Sequence, residues 1–237
     1  MGAPESAIAR SATYDLLSLA FLYPEAGHLD HLREAVPQLQ EAAGEIGWDD
    51  VARALRGLGA ELRTATREAL ETEFAEVFGH GIPKDCPPYE GEYNQAHIYQ
   101  KVQTLAELKG VYEHFGLAPN PDLKDRPDHI SVELEFMQAL TAKEAYARLQ
   151  NHGDDKISLC REAQKCFLEQ HLAGWTRRFA RALAGKTQRQ GVYGALALLL
   201  GAYMERELQE FGLTPSLLPV LTDIEEEGDA GCPGCDA

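Results

Sequence analysis

Residues 127–137 read Pro-Asp-His-Ile-Ser-Val-Glu-Leu-Glu-Phe-Met. Pro127 cannot donate a backbone hydrogen bond and restricts the residue before it to extended conformations. Asp128 then occupies the position of an N-cap, whose carboxylate accepts a hydrogen bond from a backbone N–H of the first turn. We therefore predict a helix that starts here, from His129 onward, and runs to about Gln150. At 100° per residue its apolar residues form one broad arc, made of Ile130, Val132, Leu134, Phe136, Met137 and Leu140.

Glu133 lies inside this apolar arc, one helical turn after His129. A carboxylate within an apolar face is costly unless it is paired or faces a cleft. Two interpretations follow. In the first, Asp128 only caps the helix, while His129 and Glu133 satisfy each other in the core. In the second, the start of the helix helps to form the floor of a binding site.

Outward from this helix, the rest of the chain has the same helical periodicity. No segment alternates apolar and polar residues as a strand does. The sequence predicts an all-α fold, with a single compact domain of about seven to ten helices over residues 1–215. An acidic, flexible tail is predicted over residues 216–237. The predicted helical stretches are residues 6–22, 28–43, 49–78, 94–115, 129–150, 154–183 and 187–211.

One long connection interrupts the helices at residues 79–92. It reads Gly-His-Gly-Ile-Pro-Lys-Asp-Cys-Pro-Pro-Tyr-Glu-Gly-Glu. Its prolines and glycines exclude a helix, because proline removes a hydrogen-bond donor and glycine disfavours helical order. We therefore predict an irregular segment there.

The formal net charge of −16 restricts the classes of partner. It argues against a nucleic acid, because phosphate binding needs a basic surface, and against an anionic membrane surface. No basic segment with an apolar run behind it forms a secretory signal, and the strongest apolar run, residues 195–202, is too short to span a bilayer. The five cysteines are irregularly spaced and fit a reducing compartment. We predict a cytoplasmic protein with no stable membrane insertion.

The sequence contains no Ser/His/Asp triad, nucleophile elbow or catalytic metal signature. We therefore predict that the protein is not an enzyme and requires no cofactor. One motif still suggests a metal: Cys232-Pro233-Gly234-Cys235 forms a tight turn that brings two sulfurs together, as in half of a tetrahedral site or a reversible disulfide. The missing ligands would have to come from Cys86, a histidine, a second subunit or a partner. The alternative is a disordered tail whose cysteines have no role.

Two motifs in this order carry a resemblance to a known family. The first is Cys-Pro-Pro-Tyr-Glu-Gly-Glu-Tyr at residues 86–93, which follows Glu-Phe-Ala-Glu-Val-Phe at residues 73–78; the second is the stretch at residues 127–137. Together they resemble the TorD/DmsD/NarJ family of cytoplasmic chaperones for molybdenum enzymes, over about residues 8–212. The resemblance implies an all-helical, non-enzymatic protein that binds the apo catalytic subunit of a molybdopterin oxidoreductase. It also implies assistance with cofactor insertion before export or assembly, and binding of that subunit's twin-arginine signal peptide.

The resemblance places client recognition at a Pro-Pro-aromatic segment and at an Asp-His pair. A twin-arginine signal has a cationic front and an apolar body, so a cleft with acids beside aromatic walls can contact both parts. The acids predicted for this cleft are Glu90, Glu92, Asp128 and Glu133. Its predicted apolar surface consists of Tyr89, Tyr93, Phe136 and Met137. Pro87, Pro88 and His129, from the two motifs, complete the predicted client-binding residues.

A second hypothesis is a metal- or nucleotide-handling maturation factor that uses Cys232 and Cys235. This pair lies outside the common motifs of the family, so the resemblance gives it no role. The expected oligomeric state is a monomer or a homodimer.

Overall fold

The computed structural model describes residues 4–79, 81–93, 98–117 and 126–214, and for residues 98–100 it describes the backbone alone. Within these ranges the chain forms nine α-helices and no strand longer than an isolated bridge. The predicted all-α class and number of helices are confirmed. In the same ranges, no helix combines the length and apolar character needed to cross a membrane. The helices are α1 Pro4–Ala20, α2 His28–Glu45, α3 Asp49–Leu62, α4 Arg67–Phe78, α5 Ile98–His114, α6 Ile130–Leu149, α7 Asp154–Phe167, α8 Ala173–Lys186 and α9 Gly191–Glu210; a 3-10 turn covers Glu90–Glu92 and a π-helical turn covers Leu168–Leu172.

α6 lies at the centre of the fold. It packs along α1 and α7, while α9 packs against α3 and α8. More than half of the α6 residues are buried. Neighbouring elements therefore cover most of its circumference, whereas a surface helix buries only one apolar face. The predicted arc is buried at Ile130, Leu134, Phe136, Met137 and Leu140 and partly buried at Val132.

The N-cap of α6 is His129, not Asp128. His129 has an extended backbone (φ −76°, ψ 141°), and its Nδ1 accepts a hydrogen bond from the Ser131 N–H at 3.3 Å. The Asp128 carboxylate has other partners, since it accepts two hydrogen bonds from the Arg126 guanidinium at 2.9 and 2.7 Å. The predicted capping role of Asp128 is therefore wrong, and α6 begins at Ile130.

Two other predicted helices have different boundaries. The stretch 49–78 forms two helices, because the chain turns and the Thr66 side chain caps a new helix, α4. The last helix begins at Gly191, later than predicted. Gln188 and Arg189 have φ values of 52° and 61°, which a right-handed helix does not allow.

A buried ionic network joins the first helix to the last. Arg10 on α1 donates two hydrogen bonds of 2.7 Å to Glu207 on α9 and one of 3.1 Å to Glu144 on α6. Arg148 and Gln164 also donate to Glu144. Burial would raise the pKa of Glu144, but these hydrogen bonds and the nearby arginine charges lower it. The network thus keeps Glu144 ionised and connects α1, α6, α7 and α9.

Candidate functional site

The two sequence motifs meet through their backbones. The Glu90 N–H donates to the Asp128 carbonyl at 2.9 Å, and the Ile130 N–H donates to the Pro88 carbonyl at 2.9 Å, which pairs Tyr89 with His129 in an isolated antiparallel bridge. Residues 86–93 and the start of α6 therefore form one structural unit, which we call the motif junction.

The Asp128 side chain stabilises the motif junction from within. It is fully buried, and its Oδ2 accepts the Gly91 N–H at 3.2 Å in addition to its bonds with Arg126. Glycine at position 91 favours this close approach, because a Cβ there would lie 3.1 Å from Asp128 Oδ2, a tight contact. The Arg126 guanidinium also lies 4.5 Å from the centre of the Tyr89 ring, which is a cation–π contact. It forms an ion pair with Glu92 Oε1 at 3.6 Å.

Behind the motif junction, the carboxyl groups of Glu90 and Glu133 are both buried. Glu133 Oε2 accepts a hydrogen bond from Trp175 Nε1 at 3.1 Å, and Glu90 Oε2 lies 3.1 Å from His171 Nδ1. Burial raises the pKa of Glu133 well above its usual range, and the charge and hydrogen bond of Glu90 raise it further. A raised pKa favours the protonated, neutral form of Glu133 in this buried position.

The outer side of the motif junction borders a cleft of about 580 Å³. This volume is within the range of sites that enclose small ligands or several side chains. Two of its apolar side chains, Tyr23 and Ile82, are 53% and 49% exposed and so are accessible to a partner. The cleft is lined by Phe21, Leu22, Tyr23, Phe74, Phe78, Ile82, Pro83, Pro88 and Tyr89, with Glu25, His28 and His129 as polar members.

Residues 29–181 match the family model described as nitrate reductase delta subunit. The chain belongs to this family. The perchlorate reductase assembly chaperone protein of Dechloromonas aromatica (strain RCB) is 27% identical over 217 residues, which cover 87% of this chain and 91% of that protein. The selenate reductase assembly chaperone protein of Thauera selenatis is 30% identical over 200 residues, or 84% and 89% of the two chains. Chaperone protein TorD of Vibrio cholerae (serotype O1, strain O395) is 25% identical over 140 residues, which cover 58% of this chain and 60% of that protein. The resemblance carried by the two motifs is confirmed.

In this member of the delta-subunit family, the predicted site residues divide into two groups. Pro88, Tyr89 and His129 line the cleft. The predicted acids do not form a rim around the cleft. Glu90, Asp128 and Glu133 are buried and bonded to other residues of the protein. Glu92 pairs with Lys101 at 2.7 Å. The predicted residues that lie behind the cleft wall are Pro87, Glu90, Tyr93, Asp128, Glu133, Phe136 and Met137.

The predicted contact between His129 and Glu133 is not formed. Glu133 accepts a hydrogen bond from Trp175, whereas His129 Nδ1 lies 2.6 Å from Ser131 Oγ. The imidazole of His129 packs against the Tyr89 ring with 5.1 Å between ring centroids. His129 therefore belongs to the cleft wall, and Glu133 belongs to the interior.

Sequence reasoning missed the aromatic wall opposite the motif junction. Phe74 and Phe78 are at i, i+4 on α4, and their ring centroids lie 4.9 Å apart. That spacing indicates only an apolar helix face. The ring of Tyr23 lies 5.4 Å from that of Phe74, and no motif of the sequence pointed to Tyr23. The one available signal was the position of Phe74 and Phe78 just before the Pro-Pro-aromatic segment.

The metal hypothesis stays a prediction. Cys232 and Cys235 lie outside the described residues. Among those that the structure does describe, no group of three or more His, Cys, Asp or Glu side chains is arranged to hold a metal ion. Cys86 is buried, and burial raises the pKa of its thiol.

Proposed function

We propose that this protein is a maturation chaperone that binds the apo catalytic subunit of a molybdenum oxidoreductase and assists cofactor insertion before export or assembly. Membership of the delta-subunit family supports this, as do relatives whose names describe assembly chaperones for perchlorate, selenate and chlorate reductases. Those names describe helpers of enzymes, in agreement with the prediction that the protein is not itself an enzyme.

The observation that carries the proposal is the joining of both family motifs at the wall of an aromatic cleft. Aromatic and proline side chains provide a rigid apolar surface, which suits an apolar peptide segment of a client. Tyr23, which is 53% exposed, also presents an aromatic ring to which an arginine can bind. The strong negative charge of the chain increases the rate at which a cationic segment associates. A twin-arginine signal peptide combines these features.

The buried predicted residues have an indirect role in this proposal. Asp128 and the Glu90–Glu133 pair hold the motif junction in shape, so that Tyr89 and His129 face the cleft. The client contacts the accessible side chains of the cleft. Among the apolar side chains that line it, Tyr23 and Ile82 are the most exposed.

Affinity capture in the native host tests the proposal. The bait is the full chain as wild type, as the cleft variant Tyr23→Ser/Ile82→Ser, or as the control variant Tyr146→Ser/Leu159→Ser. The control removes apolar side chains that are at least as exposed, from α6 and α7, outside the cleft. We expect the wild type and the control to capture a molybdenum oxidoreductase catalytic subunit, identified by mass spectrometry, and the cleft variant to lose it. Capture of no such subunit by the wild type would overturn the proposal.

A further inference from the structure

The chain has a formal net charge of −16, yet residues 177–189 contain five basic residues and no acidic one. Four of the five are arginines. At 100° per residue, Arg177, Arg178 and Arg181 lie within an arc of about 100° on α8. Arg189 follows in the turn after the helix. We call Arg177, Arg178, Arg181 and Arg189 the α8 basic surface.

The arrangement of these arginines is unfavourable for the isolated helix. Arg181 has Arg177 and Arg178 as its neighbours one turn before, and Ala184 and Gly185 as its neighbours one turn after. Like charges at i, i+3 and i, i+4 destabilise a helix, and here no acid at those spacings compensates. A favourable interaction outside the helix would offset this cost.

The rest of the fold supplies only part of that interaction. Arg177 pairs with Glu205, and Arg178 donates to the Tyr93 carbonyl at 2.6 Å. Arg181 and Arg189 are exposed, and within the described part of the chain neither guanidinium group has a hydrogen-bond or ion-pair partner. Two guanidinium groups are thus available to a ligand, beside two others that already carry partners.

We infer that the α8 basic surface is a docking site for an acidic peptide segment of a partner protein. The guanidinium group has a planar fork of donors that matches a carboxylate in bidentate geometry, and all four residues of the surface are arginines. A nucleic acid fits less well, because the negative charge of the whole chain repels a long polyanion. A short acidic segment avoids most of that repulsion, because salt screens charges beyond about 10 Å at 0.1 M.

The α8 basic surface adjoins the segment that contains the Pro-Pro-aromatic motif. The Arg178 guanidinium donates a hydrogen bond to the Tyr93 carbonyl. It also lies 5.4 Å from the centre of the Tyr93 ring. At the end of α8, Lys186 pairs with Asp85 at 3.6 Å. An acidic segment bound to α8 would therefore lie next to the motif junction. The inference goes beyond the proposed function, since it names a second surface and does not depend on what the cleft binds.

Fluorescence anisotropy with a labelled peptide of alternating Glu and Ala tests the inference at physiological ionic strength. The site variant is Arg181→Glu/Arg189→Glu, which changes two exposed residues and leaves the pairs of Arg177 and Arg178 intact. The matched control is Arg56→Glu/Arg63→Glu on α3 and just after it, which changes two exposed arginines and gives the same net charge. A labelled oligo-dT measures binding of a nucleic acid under the same conditions.

We expect saturable binding of the acidic peptide to the wild type, a loss of about tenfold or more for the site variant, and a change within about twofold for the control. Equal losses in the two variants would mean a general charge effect and would overturn the inference. It would also be overturned by a wild type that shows no saturable binding, or by one that binds oligo-dT more tightly than the peptide.

Discussion

Asp128 and His129 are neighbours in the sequence but have different partners in the structure. Asp128 is fully buried and holds Arg126 and the Gly91 N–H, whereas His129 caps α6 and packs on the Tyr89 ring. Asp128 thus connects the two motifs, and His129 forms part of the cleft wall. We expect Asp128 to matter more for stability and His129 more for binding.

Replacing Asp128 with Ala should lower the free energy of unfolding by about 2 kcal/mol, because Arg126 and the Gly91 N–H lose a charged acceptor. Replacing His129 with Ala should lower it by about 1 kcal/mol, the usual effect of losing an N-cap. Urea denaturation followed by circular dichroism measures both values. A larger loss for His129→Ala than for Asp128→Ala would contradict the assigned roles.

Glu133 makes stability depend on pH. Its pKa is raised by burial and then by the charge of Glu90, so the folded state retains a proton that the unfolded chain releases. A raised pKa contributes stability that is fully present below the unfolded value, about 4.3 for glutamate, and is lost as pH rises through the folded value. This group should therefore lower the stability of the folded protein as pH rises from about 4.3 toward its raised pKa.

The Glu133→Gln variant should remove that loss. A glutamine side chain offers a donor to Glu90 and an acceptor to Trp175 without ionising. The stability of the variant relative to wild type should increase as pH rises, at up to about 1.4 kcal/mol per pH unit within the titration range. Urea denaturation over a pH series measures the difference, with the exposed Glu162→Gln as control. A difference that does not change with pH would show that Glu133 is ionised in the folded protein.

At the scale of the helices, Glu73 fixes α4 to the start of α9. Its carboxylate accepts the N–H groups of Tyr193 at 2.8 Å and Val192 at 3.1 Å, which have no partner within the helix. Gly191 makes room for this contact, because a Cβ there would lie 2.5 Å from Glu73 Oε1. Since α4 carries Phe74 and Phe78, this bond also positions one wall of the cleft.

Replacing Glu73 with Ala should lower the free energy of unfolding by about 1–2 kcal/mol, as for the loss of a helix cap. The amides of Val192 and Tyr193 should then exchange faster with solvent, because they lose their acceptor. Hydrogen exchange followed by NMR measures this at each amide. Glu76→Ala, an exposed change on the same helix, is the control. Unchanged exchange at both amides in Glu73→Ala would refute the proposed attachment of α4.

At the scale of the whole molecule, the sequence predicted the features that depend on nearby residues. Helical periodicity and the proline- and glycine-rich segment at residues 79–92 were sufficient for the all-α class and for most helices. The cap of α6 could not be predicted, because it depends on the position of Arg126 and Gly91 around Asp128.

The partners of the buried polar groups were also beyond sequence reasoning. Arg10 and Glu207 are 197 residues apart, and Trp175 and Glu133 are 42 apart, so no local pattern relates them. The same holds for the cleft, whose opposite wall comes from α4 and the residues that follow α1. The motifs indicated one side of the site, and the fold supplied the other.

The central claim is that the cleft beside the motif junction binds the client. Isothermal titration calorimetry with the signal peptide of the captured subunit tests it most directly. We predict that Tyr23→Ser/Ile82→Ser weakens binding by about tenfold or more, since it removes apolar contact area from the cleft. The control Tyr146→Ser/Leu159→Ser should bind as the wild type does. Equal affinity of the cleft variant and the wild type would contradict the account.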